Sequence, residues 1–191
     1  QTGVLDAVAL AADGYGLSVE QFCARIERFG HGTTVGLNAL LTGSGAKTVV
    51  LTTRGFADTL EIGRLTRQST GLNEHEYTDS FLRNRFAPLV PRASIFEIDE
   101  RIDVNGRVIT PLDEGQARVT IRAMAKRGIE AVAVCTLFST VNATHERRLR
   151  EIVREEMPKA YVSVSHEVSP SVGEYARMST TAANASLGLV A

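Results

Sequence analysis

The chain has 191 residues, of which 43% are hydrophobic and 23% are charged, a composition typical of a folded globular protein of one domain or slightly more. With 21 basic against 22 acidic side chains the net charge is −1, which argues against a nucleic acid or an anionic membrane as the partner. There is no apolar run near the ~20 residues of a membrane span and no signal peptide, so we expect a cytoplasmic protein.

The N-terminal part predicts helices interrupted by one short strand. Apolar residues recur at helical spacing from residue 4 to residue 12, and residues 18–21, Ser-Val-Glu-Gln, form a capping box that begins a second helix. Cys23 lies in this helix and is expected to be a buried, reduced thiol, like Cys135 in a later strand, because the two lack metal-ligand spacing. Residues 28–31 predict a short strand and residues 34–41 a helix that Gly43 and Gly45 end.

The central part alternates ordered and irregular segments. Residues 46–52 form a β-branched apolar run of strand length, and residues 55–63 predict a short helix. Periodicity is lost over residues 64–92, which we expect to form an irregular, mobile excursion. Two alternating runs within residues 94–110 are joined by Asn105–Gly106, which predicts a β-hairpin with a type I′ turn.

The C-terminal part predicts two further strands, at residues 130–137 and 161–165. Asp113 is expected to cap a helix that ends at Gly128, and two more helices are predicted at residues 143–157 and around 180–187. The inward-facing residues of the first two helices are predicted to be Ala117, Ile121, Met124, Leu149, Ile152 and Val153.

These patterns together predict the fold class α/β. Strands joined through helices favour a mostly parallel sheet flanked by helices, and the hairpin is an insertion in it. We expect a single α/β domain over residues 1–191. Because the chain opens and closes within helical patterns, we also expect it to be a truncated piece of a longer polypeptide.

Ligands of parallel α/β sheets bind beyond the carboxyl ends of the strands, and this rule selects a set of polar residues that we expect to meet at one rim. The predicted strands deliver to it His31, Gly32, Thr33, Thr34, Thr52, Thr53, Arg54, Thr136, Ser139, Ser165 and His166. A helix beginning near Thr34 would point free N–H groups at an anion, with Asn38 on the same face.

Each of these residues also has a purely structural interpretation. Thr33, Thr34 or Thr53 would cap a helix, and His31 would be a hydrogen-bonded residue at a strand end. His145 is interpreted as a packing residue, and no histidine pair has zinc-site spacing. The arginines of the irregular excursion could clamp a carboxylate or lie in solvent.

Six segments, in family order over most of residues 29–187, resemble the hydantoinase/oxoprolinase family, whose members include N-methylhydantoinase A, 5-oxoprolinase and acetone-carboxylase-type subunits. They are HGTTVGLNALL, TTRGFADTLEIGR, APLVPR, GIEAVAVCTLFSTVNATHERRLREI, VSVSHEVSP and EYARMSTTAANA. The resemblance implies part of an actin-like ATPase architecture. In such enzymes ATP and Mg serve to phosphorylate a lactam or imide carbonyl oxygen, and water then attacks the activated carbon.

The resemblance also implies residue roles and partners. Residues matching the first two segments are expected to position substrate or phosphate: His31, Thr33, Thr34, Asn38, Thr52, Thr53, Arg54 and Arg64. Residues matching the last segment are expected to serve interdomain packing: Glu174, Tyr175, Arg177, Thr180, Thr181 and Asn184. No catalytic acid or base is identified. A second hydantoinase-type subunit is the expected partner, and a homo-oligomer is left open.

The implied function is that of a fragment of an ATP-dependent cyclic-amide hydrolase subunit acting on hydantoin, N-methylhydantoin or 5-oxoproline. An ATP-dependent ketone carboxylase subunit of the same family and a non-catalytic assembly module are the alternatives. The family's phosphate loop, Asp-x-Gly-Gly-Thr, is absent from these residues, so the fragment alone is expected to be inactive.

Overall fold

The computed structural model describes residues 2–30, 32, 34–63, 73–78 and 88–190. The chain divides into two compact units, Gln1–Thr34 and Val35–Ala191. The organisation of residues 1–191 as one domain stays a prediction. No helix in the described ranges is long and apolar enough to cross a membrane.

The first unit contains the helices α1 (Thr2–Gly14) and α2 (Val19–Cys23). The predicted capping box is confirmed, since the Gln21 amide donates to Ser18 Oγ (3.2 Å) and the Ser18 amide donates to Gln21 Oε1 (3.1 Å). Cys23 is exposed, so its predicted burial is wrong: α2 is only five residues long and buries no side chain.

The strand predicted at residues 28–31 is also wrong over its described part. Residues 28–30 have no regular structure and are all exposed, and Phe29 alone offers too little apolar surface to hold this segment against a sheet. His31 lies outside the described residues, as does most of the predicted excursion, whose described part includes a short helix at residues 74–78.

The second unit contains a sheet, a hairpin and their flanking helices. Its helices are α3 (Val35–Thr42), α4 (Thr59–Ile62), α5 (Glu74–Thr78), α6 (Glu114–Ala125), α7 (Thr144–Glu156), α8 (Ser165–Val168) and α9 (Glu174–Leu187). Its strands are β1 (Thr48–Thr53), β2 (Ile95–Ile98), β3 (Arg101–Ile102), β4 (Val108–Thr110), β5 (Ala131–Cys135) and β6 (Tyr161–Val164).

The main sheet has the order β2-β1-β5-β6, and every neighbouring pair is parallel. All residues of β1 and β5 are buried, because helices cover both faces of the sheet. On one face the strands pack with Ile121 of α6 and Leu149 of α7, and on the other with Met178 of α9. The prediction of a mostly parallel sheet flanked by helices is confirmed.

The hairpin is confirmed but begins later than predicted. Residues 95–98 do not belong to it: they form β2, which pairs in parallel with β1. The antiparallel pair is β3–β4. The type I′ turn is wrong, since Gly106 has a φ of 79° but Asn105 has no positive φ. Instead Asp103 Oδ1 accepts from the amides of Asn105 (2.9 Å) and Arg107 (2.8 Å), which fixes a turn with a single left-handed glycine.

The C-terminal elements largely follow their sequence patterns. Asp113 caps α6 by accepting from the Gln116 amide, and the six residues predicted to face inward from α6 and α7 are all buried. Helix α9 begins at Glu174, well before the predicted start near residue 180. Its first turns are fixed by tertiary contacts, because Arg177 and Met178 are both buried.

Candidate functional site

The predicted rim forms at the carboxyl ends of three strands. The Leu137 amide, just beyond β5, donates to Thr53 Oγ1 at the end of β1 (2.9 Å). Ser139, in the same loop, lies 3.0 Å from Ser165 at the end of β6, measured between the hydroxyl oxygens. The structure therefore brings together Thr53, Thr136, Ser139, Ser165 and His166, as the strand-end rule predicts.

The Thr53 hydroxyl belongs to a buried network that continues through Glu100 to His145. Because Thr53 Oγ1 accepts from the Leu137 amide, its own proton is donated to Glu100 Oε1. The other carboxylate oxygen, Oε2, lies 2.6 Å from His145 Nδ1. Thr53 is thus no cap for the following helix, and His145 combines the predicted packing with a carboxylate partner.

A second buried carboxylate, Glu146, connects β5 to β6. Its Oε1 accepts from the Thr136 amide (2.9 Å) and the Ser165 hydroxyl (2.6 Å). Its Oε2 accepts from the His166 amide (3.0 Å) and lies 2.7 Å from His166 Nδ1. Glu146 is 0% exposed, so all four of these contacts are shielded from solvent.

Arg177 supplies the positive charge of this second network. It is 1% exposed and donates to Ser165 Oγ (3.1 Å), the Thr136 carbonyl (2.8 Å) and Glu174 (3.2 Å). Ser165 therefore bridges a buried guanidinium and a buried carboxylate. This arrangement satisfies both charges, as buried ions require. Arg177 thus packs within this unit; its predicted interdomain role stays a prediction.

The turn after β1 is held by contacts with acidic residues at the end of β2 and just beyond it. Besides the Thr53–Glu100 contact, the Arg54 Nε lies 2.6 Å from Asp99 Oδ1, and the Gly55 amide donates to Glu97 Oε1 (2.9 Å). The Arg54 side chain is 62% exposed, so its remaining guanidinium nitrogens face solvent. Arg54, directly after β1, therefore presents a positive charge to solvent at this strand end.

The other predicted site residues do not join this rim in the described structure. Thr52 is buried within the sheet, opposite Glu97 and Cys135 in register. Asn38 lies on α3, whose Gly36 faces the C-terminal end of α9: a Cβ at this position would lie 3.6 Å from Leu187 Cδ1. The rim meets α9 near its start, about 15 Å away along the helix axis at 1.5 Å per residue.

Three predicted site residues, His31, Thr33 and Arg64, lie outside the described residues. Thr34 belongs to the first unit and is exposed. Within the described ranges no group of three or more His, Cys, Asp or Glu side chains could hold a metal ion.

Two buried groups at the rim stand out chemically. Burial raises the pKa of the Cys135 thiol to about 12, so this thiol stays neutral and unreactive at physiological pH. The hydroxyl of Thr136 is buried without a hydrogen-bond partner, and it is the one such side-chain atom in the part of the chain that the structure describes.

Sequence reasoning missed both carboxylates, although each carried a signal. Glu100 has the same strand parity as Ile98 and Ile102, which are fully buried, so alternation placed it inward. Glu146 precedes Leu149 and Val153 by three and seven positions, so it shares their buried helical face. A charged residue on an apolar face signals a paired, buried ion.

The chain has clear relatives. The family model described as the hydantoinase/oxoprolinase N-terminal region matches residues 1–157. The chain belongs to this family. Its relatives include the acetophenone carboxylase gamma subunit of Aromatoleum aromaticum, with 38% identity over 97% of this chain and 26% of the relative. The recognition made from the six segments is thereby confirmed.

Two solved structures of hydantoinase/oxoprolinase relatives share the fold. The ATP-dependent caprolactamase of Pseudomonas jessenii matches with a TM-score of 0.85 and 35% identity, over 98% of this chain and 26% of that one. A nucleotide-free acetone carboxylase structure matches with a TM-score of 0.86 and 26% identity, over 96% and 26% of the two chains. The fold is of the α/β, actin-like class, and the chain spans about a quarter of the length of these relatives.

Proposed function

We propose that this chain is part of a subunit of an ATP-dependent enzyme that opens a small cyclic amide: hydantoin, N-methylhydantoin or 5-oxoproline. The observation that carries the proposal is the similarity, over 98% of this chain, to an ATP-dependent caprolactamase. Caprolactam is itself a cyclic amide, so the bond to be broken is of the same kind.

The chemistry requires activation because an amide carbonyl is a poor electrophile. Phosphorylation converts the carbonyl oxygen into a leaving group, which lowers the barrier to attack by water. The energy of ATP hydrolysis then drives ring opening.

ATP and magnesium are implied by the relatives, but the described residues do not provide a complete set of ligands for them. No set of three metal-ligating side chains is present in the described ranges. The Thr53 hydroxyl already donates its proton to Glu100 and accepts from the Leu137 amide, and Asp99 pairs with the Arg54 guanidinium. The described residues do not by themselves form a nucleotide site.

We assign substrate or phosphate positioning to the residues matched to the family segments: His31, Thr33, Thr34, Asn38, Thr52, Thr53, Arg54 and Arg64. Within this set, the fully buried hydroxyl of Thr53 favours an indirect role, because donating it to a ligand would break its buried hydrogen bond to Glu100. The exposed guanidinium of Arg54 favours direct contact with an anionic group.

An ATP-dependent ketone carboxylase is the second candidate. It is supported by the 38% identity to an acetophenone carboxylase subunit, which exceeds the 35% identity to caprolactamase. Both reactions begin at a carbonyl group, so the same rim would serve either one. Bicarbonate-dependent turnover of a small ketone distinguishes the carboxylase from the hydrolase.

A second subunit is proposed as the partner, because relatives are named as alpha, beta and gamma subunits. A homo-oligomer and a cytoplasmic location stay predictions. The third candidate, a non-catalytic assembly module, predicts that the matched polar residues can be removed without loss of activity.

The decisive experiment measures ADP release by the full-length chain with its partner subunit. Hydantoin, N-methylhydantoin and 5-oxoproline are each supplied as substrate, and a small ketone with bicarbonate is assayed in parallel. Stimulation by a cyclic amide supports the hydrolase, and stimulation by the ketone supports the carboxylase. If no substrate stimulates ADP release, both enzyme proposals are refuted.

A double variant, Thr34→Val with Asn38→Leu, separates an enzyme from an assembly module. The control is Leu41→Ala, which changes an exposed residue of the same helix without removing a polar group. Loss of turnover in the double variant alone supports the assigned roles. Unchanged turnover with unchanged folding supports the module.

A further inference from the structure

The loop that follows β5, residues 136–139, contains an unusual backbone conformation. Phe138 has a φ of 54°, and no other non-glycine residue in the described ranges has a positive φ. A bulky aromatic residue rarely adopts this left-handed conformation, and it persists only where the surrounding structure holds it. Residues with strained backbone conformations concentrate at functional sites.

Two carboxylates hold the loop from its two sides. Glu146 acts directly, by accepting from the Thr136 amide (2.9 Å). Glu100 acts through Thr53, whose hydroxyl donates to the carboxylate and accepts from the Leu137 amide (2.9 Å). Consecutive amides immediately before Phe138 are therefore both fixed by buried acids.

The Glu100 arm depends on the direction of a single proton. A threonine hydroxyl has one proton and two acceptor lone pairs. Because Glu100 takes the proton, a lone pair of Thr53 stays aimed at the Leu137 amide. Without an acceptor at position 100 the hydroxyl is free to rotate, so this orientation is no longer enforced and the hold on the Leu137 amide weakens.

We propose that Glu100 is a positioning residue: through the Thr53 hydroxyl it holds the strained loop 136–139 in the geometry that turnover uses. The inference deepens the proposed function and rests on it, since the loop is taken to line the reacting site. Glu100 itself touches no substrate in this proposal. His145, bound to the second carboxylate oxygen at 2.6 Å, keeps the Glu100 side chain in place.

The test is a double-mutant cycle in the full-length enzyme with its partner subunit. Glu100→Leu removes the acceptor at similar volume, Thr53→Val removes the hydroxyl, and the third variant carries both changes. In the wild-type background Glu100→Leu should lower kcat by about 10- to 100-fold while KM changes little, because misplacement of a positioning loop costs factors of this size. In the Thr53→Val background Glu100→Leu should lower kcat no further. Additive effects on kcat would overturn the proposal.

Amide hydrogen exchange at Leu137 provides a readout that does not depend on activity. Glu100→Leu should accelerate this exchange by about tenfold or more when Thr53 is present and not when it is replaced. Glu100→Gln guards against misfolding, since its amide oxygen can still take the Thr53 proton, and it should restore slow exchange. Glu151→Leu, an exposed glutamate of α7, is the control and should leave both readouts unchanged.

The outcomes separate the two proposals. If the wild-type enzyme shows no substrate-stimulated ADP release, the proposed function fails, and exchange at Leu137 alone decides whether Glu100 holds the loop. If Leu137 exchange is the same in Glu100→Leu as in the wild type, the positioning role is refuted whatever the turnover. If exchange changes as expected but kcat does not, the loop is held for stability only, which also overturns the inference.

Discussion

Glu146 offers the sharpest test of how this fold is stabilised. Its carboxylate has two donors at each oxygen: the Thr136 amide and Ser165 hydroxyl at Oε1, and the amide and ring Nδ1 of His166 at Oε2. In Glu146→Gln one oxygen becomes an NH2 group. That group would face two donors in either orientation, and the buried negative charge that Ser165 links to Arg177 would be lost.

The expected cost follows from those contacts. A hydrogen bond to a charged group contributes about 1.5–3 kcal/mol, so losing two would cost about 3–6 kcal/mol. Glu146 is 0% exposed, so solvent does not screen this loss. We therefore expect Glu146→Gln to lower the local free energy of unfolding by about 3–6 kcal/mol.

The measurement is amide hydrogen exchange of β5 in the full-length protein, because exchange reports the free energy of local opening. Glu151→Gln is the matched control: it lies on the same helix and pairs with Arg148, but its side chain is 59% exposed. A surface pair of this kind contributes at most about 1 kcal/mol. A change below about 1 kcal/mol in Glu146→Gln would refute the reasoning, since the network would then tolerate an uncharged partner.

Three further predictions concern a buried hydroxyl, the two cysteines and the surface ion pairs. Thr136→Val should raise the free energy of unfolding by about 1 kcal/mol in denaturant titrations, because it removes a buried hydroxyl without a partner; Thr136→Ser should not, and destabilisation by valine would show that the hydroxyl has a partner. A thiol reagent should label exposed Cys23 in the native protein and leave Cys135 unlabelled, because burial raises the pKa of Cys135 to about 12; peptide mapping that finds both labelled equally contradicts this. Arginine hydrogen bonds hold the pKa of the Glu114 and Glu156 carboxyl groups below the ordinary value of 4.5. Their contribution to stability is therefore present above pH 4.5 and is lost as the pH falls through the lowered folded-state pKa values. The urea midpoint of unfolding should drop over this pH range, and it should drop by less in Glu114→Gln. An equal drop in that variant would count against the assignment.

Local signals in the sequence predicted the elements that depend on local chemistry. The capping box at Ser18, the Asp113 cap and the buried face of α7 all follow from spacing within one helix, and all are confirmed. The errors occur where tertiary pairing decides. Residues 95–98 alternate as a hairpin strand would, yet they pair in parallel with β1 and form the edge strand of the main sheet. Alternation within one segment does not indicate which strand it will pair with.

The candidate site was predictable in position but not in its bonding. The strand-end rule located Thr53, Thr136 and Ser165, because parallel strands end at one edge whatever their side chains do. It could not show which hydroxyls were already engaged, since the partners Glu100 and Glu146 come from distant parts of the chain. The strand parity of Glu100 with Ile98 and Ile102, and the helical spacing of Glu146 to Leu149 and Val153, indicated inward carboxylates but not their partners.

The bonding at the rim changes which residues can recognise a ligand. Polar residues at strand ends suggest a binding site, but here both hydroxyls already have partners. Thr53 is hydrogen-bonded to Glu100 and the Leu137 amide, and Ser165 to Glu146 and Arg177. A ligand that displaced these bonds would cost a buried carboxylate one of its donors, at about 1.5–3 kcal/mol for each bond lost. Recognition at this edge is therefore expected to use groups that still face solvent, of which the Arg54 guanidinium is the strongest. The buried acids then have a different role, which is to hold the loops that carry those groups.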